Sequence, residues 1–177
     1  MIYNSNLFTE ITRTYKQLGG VLDTPSLKIG KYDVDLTYFV IELDEENHFN
    51  RYRYASLDPA IYNNNHRLDL EQYKQFCEKY ENKCCKHGGY WSNPSSDSQF
   101  GVSGENGDLE RSGSSRWKQR AFYDFVKDAT SIITDIPILR ISIYERYNDQ
   151  TVESLIKNRN KNDLLRLIDR KRAKIFI

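Results

Sequence analysis

Residues 33–48 read DVDLTYFVIELDEENH, and the way this stretch folds decides how the rest of the chain is arranged. Residues 39–43 are dense in aromatic and β-branched side chains, which favour a strand. Into that apolar run are set Glu42 and Asp44, followed by Glu45, Glu46 and His48. Side chains two apart on a strand share a face and lie roughly 6.6 Å from each other. Glu42 and Asp44 therefore point with Val40, while Ile41 and Leu43 point the other way. Two carboxylates so placed on a half-buried surface repel each other, and burial without partners is costly. A divalent cation removes both problems, and hard oxygen donors suit Mg²⁺. Asp35 is the natural third member, because a tight hairpin near Tyr38-Phe39 sets it directly across from Glu42. A solvated acidic edge is the plainer alternative, disfavoured by the crowding of acids and a histidine into one stretch.

Outward from this stretch, Leu7, Phe8, Ile11, Tyr15 and Leu18 recur at helical spacing, and Gly19-Gly20 ends the run. A second helix starts after Asp69, with Leu70, Tyr73, Cys77, Tyr80 and Cys84 on one face. Residues 88–115 hold six Gly and eight Ser and read as a long polar loop. Ser114 or Ser115 caps a third helix with Trp117, Ala121 and Phe125 inward. The stretch IPILRISIYE is a further strand, and the C-terminus carries one or two basic amphipathic helices. The order of elements gives a mixed α/β domain.

A chain of 177 residues suffices for one domain with a real core, and 13% aromatic content excludes a disordered tail. The net charge of +1 conceals segregation: residues 33–46 hold six acids and no base, and residues 150–177 hold eight bases against three acids. Such separation fits an acidic pocket beside a basic contact surface. No stretch approaches a membrane span and no apolar leader is seen, so the expected location is the cytoplasm. Three cysteines do not form a disulfide framework. Cys77, Cys84, Cys85 and His87 invite a zinc reading, but Cys77 and Cys84 are seven residues, roughly 10.5 Å, apart on a helix, too far for one tetrahedral ion. Cys84, Cys85 and His87 at a helix end stay open, with reduced, partly buried cysteines the favoured reading over zinc.

The segment YDVDLTYFVIELDEENH resembles the core motif of Vsr-like endonucleases, within the PD-(D/E)xK restriction-endonuclease-like superfamily. Val34-Asp35 matches the first acid of that motif, and Glu42-Leu43-Asp44 with His48 matches the second part. A leading helix with Glu10, and KQRAFYDFVKDA followed by ILRISIYE, resemble the flanks more weakly. The Asp-to-Glu interval is shorter than relatives show, and Asp44 stands where most of the superfamily has Lys, a lack the Vsr-like members share.

The resemblance implies a restriction-endonuclease-like core, a mixed central sheet flanked by helices, in a single domain over residues 1–177. A helical and Gly/Ser-rich insertion then occupies about 58–115. It implies a Mg²⁺-dependent (Mn²⁺ as substitute) DNA endonuclease of restriction, phage defence or repair. Asp35, Glu42 and the Leu43 carbonyl hold the metal, His48 takes a proton from water, Asp44 assists, and Glu10 is an optional ligand. Arg51 and Arg53, interleaved with Tyr52 and Tyr54, suit a nucleic-acid surface in their own right. Lys118, Arg120 and Arg140 join them through the resemblance. DNA is the expected partner, with a homodimer if the target is palindromic. The alternatives are a non-catalytic nucleic-acid-binding module and an acidic docking surface.

Overall fold

Asp33 to Asp44 fold back on themselves with a two-residue turn, Thr37-Tyr38, between β1 (Val34–Leu36) and β2 (Phe39–Asp44). Neither turn residue has positive φ, which is why no Asn-Gly is needed. The computed structural model describes residues 7–27, 30–63, 68–86 and 90–175. Among these, β2 is the central strand of a three-stranded sheet, antiparallel to β1 and parallel to β3 (Ile138–Ser142). Glu42 lies beside Arg140 and Asp44 beside Ser142 in the β2–β3 register. The sheet is small and mixed, and the protein is an α/β structure with several helices.

Both faces of β2 are covered. On one, Phe39 and Ile41 pack with Leu139 and Ile141 of β3, Val152, and Leu167. Val152 begins α6 (Val152–Lys157), and Leu167 lies in α7 (Lys161–Ile175), so the basic C-terminal segment is two helices with an apolar stripe on the sheet. A minimal hairpin, β4 (Arg146–Tyr147) and β5 (Gln150–Thr151), precedes them. Its turn residues Asn148 and Asp149 both have positive φ, as a twist-matched hairpin requires.

The other face carries Glu42, Asp44, Arg140 and Ser142 and meets α5 (Ser115–Thr134), which Ser114 caps through the Trp117 amide. The opposite side of α5 builds the main core. There Phe122, Phe125 and Ala129 join Ile11 and Tyr15 of α1 (Phe8–Gln17), Phe49, and Tyr73 and Cys77 of α3 (Leu70–Cys84). The chain after Gly19 returns against Tyr15: a Cβ at Gly20 would lie 2.3 Å from that ring, so the glycine pair ends the helix and permits the close return.

Two short helices escaped the periodicity argument. α2 (Arg51–Ser56) is capped by Asn50, whose side chain accepts from the Tyr52 and Arg53 amides. α4 (Pro94–Phe100) lies inside the polar segment read as loop, started by the Asn93–Ser96 capping box with Pro94 in the first turn. The remaining loop is tied to its surroundings. Trp91 Nε1 donates to the Gly104 carbonyl, and Ser103 and Ser96 meet at the Ser115 hydroxyl.

Candidate functional site

Where β2 faces α5, an open cavity of about 580 Å³ is lined by Asp33, Glu42, Glu45, His48, Arg116, Arg120, Tyr123, Asp124 and Lys127, among others. β2 supplies Glu42 and the strand end supplies Glu45. A 3₁₀ turn, Glu46–His48, lifts His48 over the sheet. α5 supplies Arg116, Arg120, Tyr123, Asp124 and Lys127 along one side, because residues three and four apart share a helix face.

The acids of β2 are neutralised by the protein itself. Lys127 Nζ donates to Glu42 Oε1 at 2.6 Å and to the Lys31 carbonyl at 3.1 Å. Glu42 is only 4% exposed; burial lifts its pKa above the ordinary value, although Lys127 and then Arg140 pull it back. Asp44, 1% exposed, accepts from Arg140 Nη1 at 2.7 Å. Arg140 Nε also donates to Asp128 Oδ1 at 2.7 Å, and Arg53 Nη2 to Asp128 Oδ2 at 3.0 Å, where the Tyr62 hydroxyl arrives at 2.6 Å.

His48 Nδ1 lies 2.7 Å from Asp124 Oδ2 and 3.6 Å from Asp44 Oδ1. Burial pushes the Asp124 carboxyl up, but His48 and Arg140 beside it hold it far below the usual carboxylate range. With Nδ1 occupied by a carboxylate, the imidazole is oriented and its Nε2 is left for other work. Asp44, His48 and Asp124 also have ligand atoms within 4.8 Å of one another, a spacing a metal ion can span. Asp44 and Asp124 both already face the Arg140 guanidinium, however, and a cation there would meet a fixed positive charge.

The expected residues separate on this frame. Glu42, Asp44 and His48 are brought together, with Asp44 behind His48 and turned to Arg140. Asp35 is not beside Glu42. The turn falls one residue earlier than expected, so Asp35 pairs with Val40; it stays on the Glu42 face but is exposed and outside the cavity wall. Continuing the same register places Asp33 opposite Glu42, and Asp33 Oδ2 accepts from the Leu43 amide at 2.8 Å. The Leu43 side chain lies on the opposite face, against the α7 side of the sheet. Glu10 lies in the first turn of α1 with Arg13 at 2.7 Å and is not part of the cavity wall.

The basic residues divide likewise. Arg53 and Arg140, 1% and 2% exposed, belong to the interior charge network and present no contact surface. Arg51 is bound by Glu81 at 2.9 Å, and Lys118 Nζ by the Ser112 carbonyl at 2.6 Å. Only Arg120 of that group lines the cavity. Burial pushes the Cys77 and Cys84 thiols up to about 12, which opposes the thiolate form zinc requires. His87 lies outside the described residues.

Residues 13–158 match a family described as a family of unknown function, DUF7255. The chain belongs to this DUF7255 family. No curated protein and no solved structure matches it. The DUF7255 span contains the whole cavity wall and ends before α7, and Glu10 precedes it. Among the described residues, no helix is long and apolar enough to cross a membrane.

Asp33, Arg116, Asp124, Lys127 and Asp128 were not among the expected site residues. Asp33 was hidden by Asp35, two positions on in the same acidic stretch. Asp124, Lys127 and Asp128 did leave a signal. They sit three and four apart between Ala121, Phe125 and Ala129 on a helix whose faces are both needed for packing, where a charged residue must find a partner.

Proposed function

We propose that this protein is a Mg²⁺-dependent nuclease that hydrolyses DNA phosphodiester bonds, with the cavity between β2 and α5 as its active site. The sheet-and-helix arrangement is read as a restriction-endonuclease-like core. The observation that carries the proposal is the meeting in one open cavity of carboxylates, an aspartate-braced histidine and arginines. A metal fits the donor chemistry of Glu42 and Asp33, two hard oxygen donors at the same wall. Bound there, Mg²⁺ supplies Lewis acidity toward a phosphoryl oxygen and lowers the pKa of water.

The protein's own residues do the rest. His48, with Nδ1 on Asp124, accepts the proton of the attacking water at Nε2. Lys127, which pairs with Glu42, would share that carboxylate with a metal held there and supply positive charge toward the phosphate. Arg140 and Asp128 hold Asp44 and Asp124 in place from below.

Incubation of supercoiled plasmid with and without Mg²⁺ tests this reading, with Glu42→Gln as the control. Absence of cleavage by the parent protein across Mg²⁺ and Mn²⁺ would overturn it. A second reading, a nucleic-acid-binding module without catalysis, draws on the Glu42–Lys127 pair, which satisfies the buried acid without any metal. Under it, the protein retards DNA and never cuts it.

A further inference from the structure

The cavity has a second end. Arg116 and Arg120 stand one turn apart in the first half of α5, both half-buried and both on the cavity wall. Neither has a carboxylate partner among the described residues, whereas Arg51, Arg53, Arg140 and Lys127 each do. Arg116 Nη1 reaches only the neutral Gln119 side chain, at 2.5 Å. Burial and the nearby Arg120 both press against the Arg116 charge. Two guanidiniums held together in a concave wall without an anion are electrostatically unsatisfied, and arginine does not escape by losing its proton. The acids on the same wall do not supply the missing charge. Glu42 is taken by Lys127, Asp124 by His48, and Asp33 by the Leu43 amide, while Glu45 is exposed.

The separation from the acidic end fixes what kind of anion fits. Seven and eleven residues of α5 part Arg120 and Arg116 from Lys127, or about 10.5 and 16.5 Å of helix axis. One strand of a duplex advances only about 3.4 Å per phosphate. A single phosphate cannot serve both ends, but a polymer with repeated phosphates can.

We infer that Arg116 and Arg120 form a second phosphate subsite, which takes a backbone phosphate several nucleotides from the one at Glu42. The cavity therefore engages a length of polynucleotide rather than a mononucleotide. This rests on the nuclease reading only for the identity of the polymer, and it can be tested without cleavage.

Anisotropy of a 5′-labelled 12-nucleotide single strand, measured in EDTA over a salt series, reads the subsite directly. Arg116→Gln with Arg120→Gln weakens binding at least roughly tenfold, as losing charge-assisted contacts to phosphate should. It also lowers the slope of log K against log salt by about 1.4, for two contacts on a single strand. The charge-preserving Arg116→Lys/Arg120→Lys protein keeps that slope, which excludes a folding defect as the cause. Affinity for the 12-mer within twofold of the parent and an unchanged slope in the double Gln protein would overturn the subsite. So would equal competition by polyglutamate. A parent protein that binds in this arginine-dependent way yet never cuts leaves the subsite standing and removes the hydrolytic reading. One that cuts but binds independently of the arginines does the reverse.

Discussion

Lys127 Nζ sits 2.6 Å from Glu42 Oε1, with the two side chains only 12% and 5% exposed, so the acid most suited to hold a metal already has a cation. Any metal at Glu42 must displace or share that ammonium. Lys127→Met leaves Glu42 buried and unpaired, the kind of change that costs up to about 3–5 kcal/mol. Burial already raises the Glu42 pKa, so its folded form favours the proton more than the unfolded chain does. Stability lost in Lys127→Met is therefore recovered as pH falls through the folded pKa of Glu42, and is missing above it. Thermal unfolding from pH 4 to 8 should show the deficit widening with pH. The Glu42→Gln/Lys127→Met protein should show no such trend.

Asp33 and Asp35 give opposite outcomes in a cleavage assay. Asp33→Asn should lose roughly 10²-fold or more in Mg²⁺-dependent rate, the size of one removed electrostatic contact in a site. Asp35→Asn should cut within about threefold of the parent, since surface changes away from a site have small effects. The reverse ranking would restore Asp35 to the site.

If the proposed proton transfer at His48 holds, His48→Ala should lower the rate roughly 10²–10⁴-fold with metal affinity unchanged. Asp124→Asn keeps the imidazole near its place but removes the carboxylate at 2.7 Å. A decrease in kcat with little change in KM is expected. Partial rescue of His48→Ala by extra Mn²⁺ would instead mark His48 as a ligand.

Arg140→Met should be the most destabilising of these changes, since it strips charge partners from Asp44 and Asp128 at once, by roughly 3–5 kcal/mol or more. Urea unfolding measures it. A loss below about 1 kcal/mol would mean that Arg53 and Tyr62 suffice for Asp128.

The basic C-terminus calls for charge substitution rather than truncation, because Leu167 of α7 is buried against the sheet. Lys171 is already bound to both Glu145 oxygens, at 2.7 and 2.6 Å, and Arg172 faces Asp169 at 3.4 Å. Arg170→Gln with Lys174→Gln should therefore change the salt slope for DNA binding by less than the α5 arginine pair does. A larger change would move the main contact surface to α7.

The strand faces of residues 40–44 and the spans of α1, α3 and α5 were legible because each has one strong apolar period. What periodicity cannot carry is register. Moving the turn from Tyr38-Phe39 to Thr37-Tyr38 shifts the pairing by two, so Asp35 keeps its face and loses its neighbour. Nor can a linear pattern foresee that charges distant in sequence will cancel. Arg140 entered as a nucleic-acid contact through the resemblance, and nothing in the linear pattern shows that Asp44, Asp124 and Asp128 surround it. The helix at Pro94–Phe100 was written in its capping box, a signal masked by the serine and glycine richness around it.

The parallel pairing of β2 with β3 also has a consequence for synthesis on the ribosome. Asp44 and its partner Arg140 are 96 residues apart. At about 5–20 residues per second, the acidic strand is made roughly 5–20 s before the arginine that neutralises it exists. During that interval Glu42 and Asp44 stay in water, where charge costs nothing, and β2 has no reason to bury them. The sheet closes only when β3 arrives, so a nascent chain stopped before Arg140 already holds the residues of the α5 core and the cavity wall but leaves Asp44 without its guanidinium.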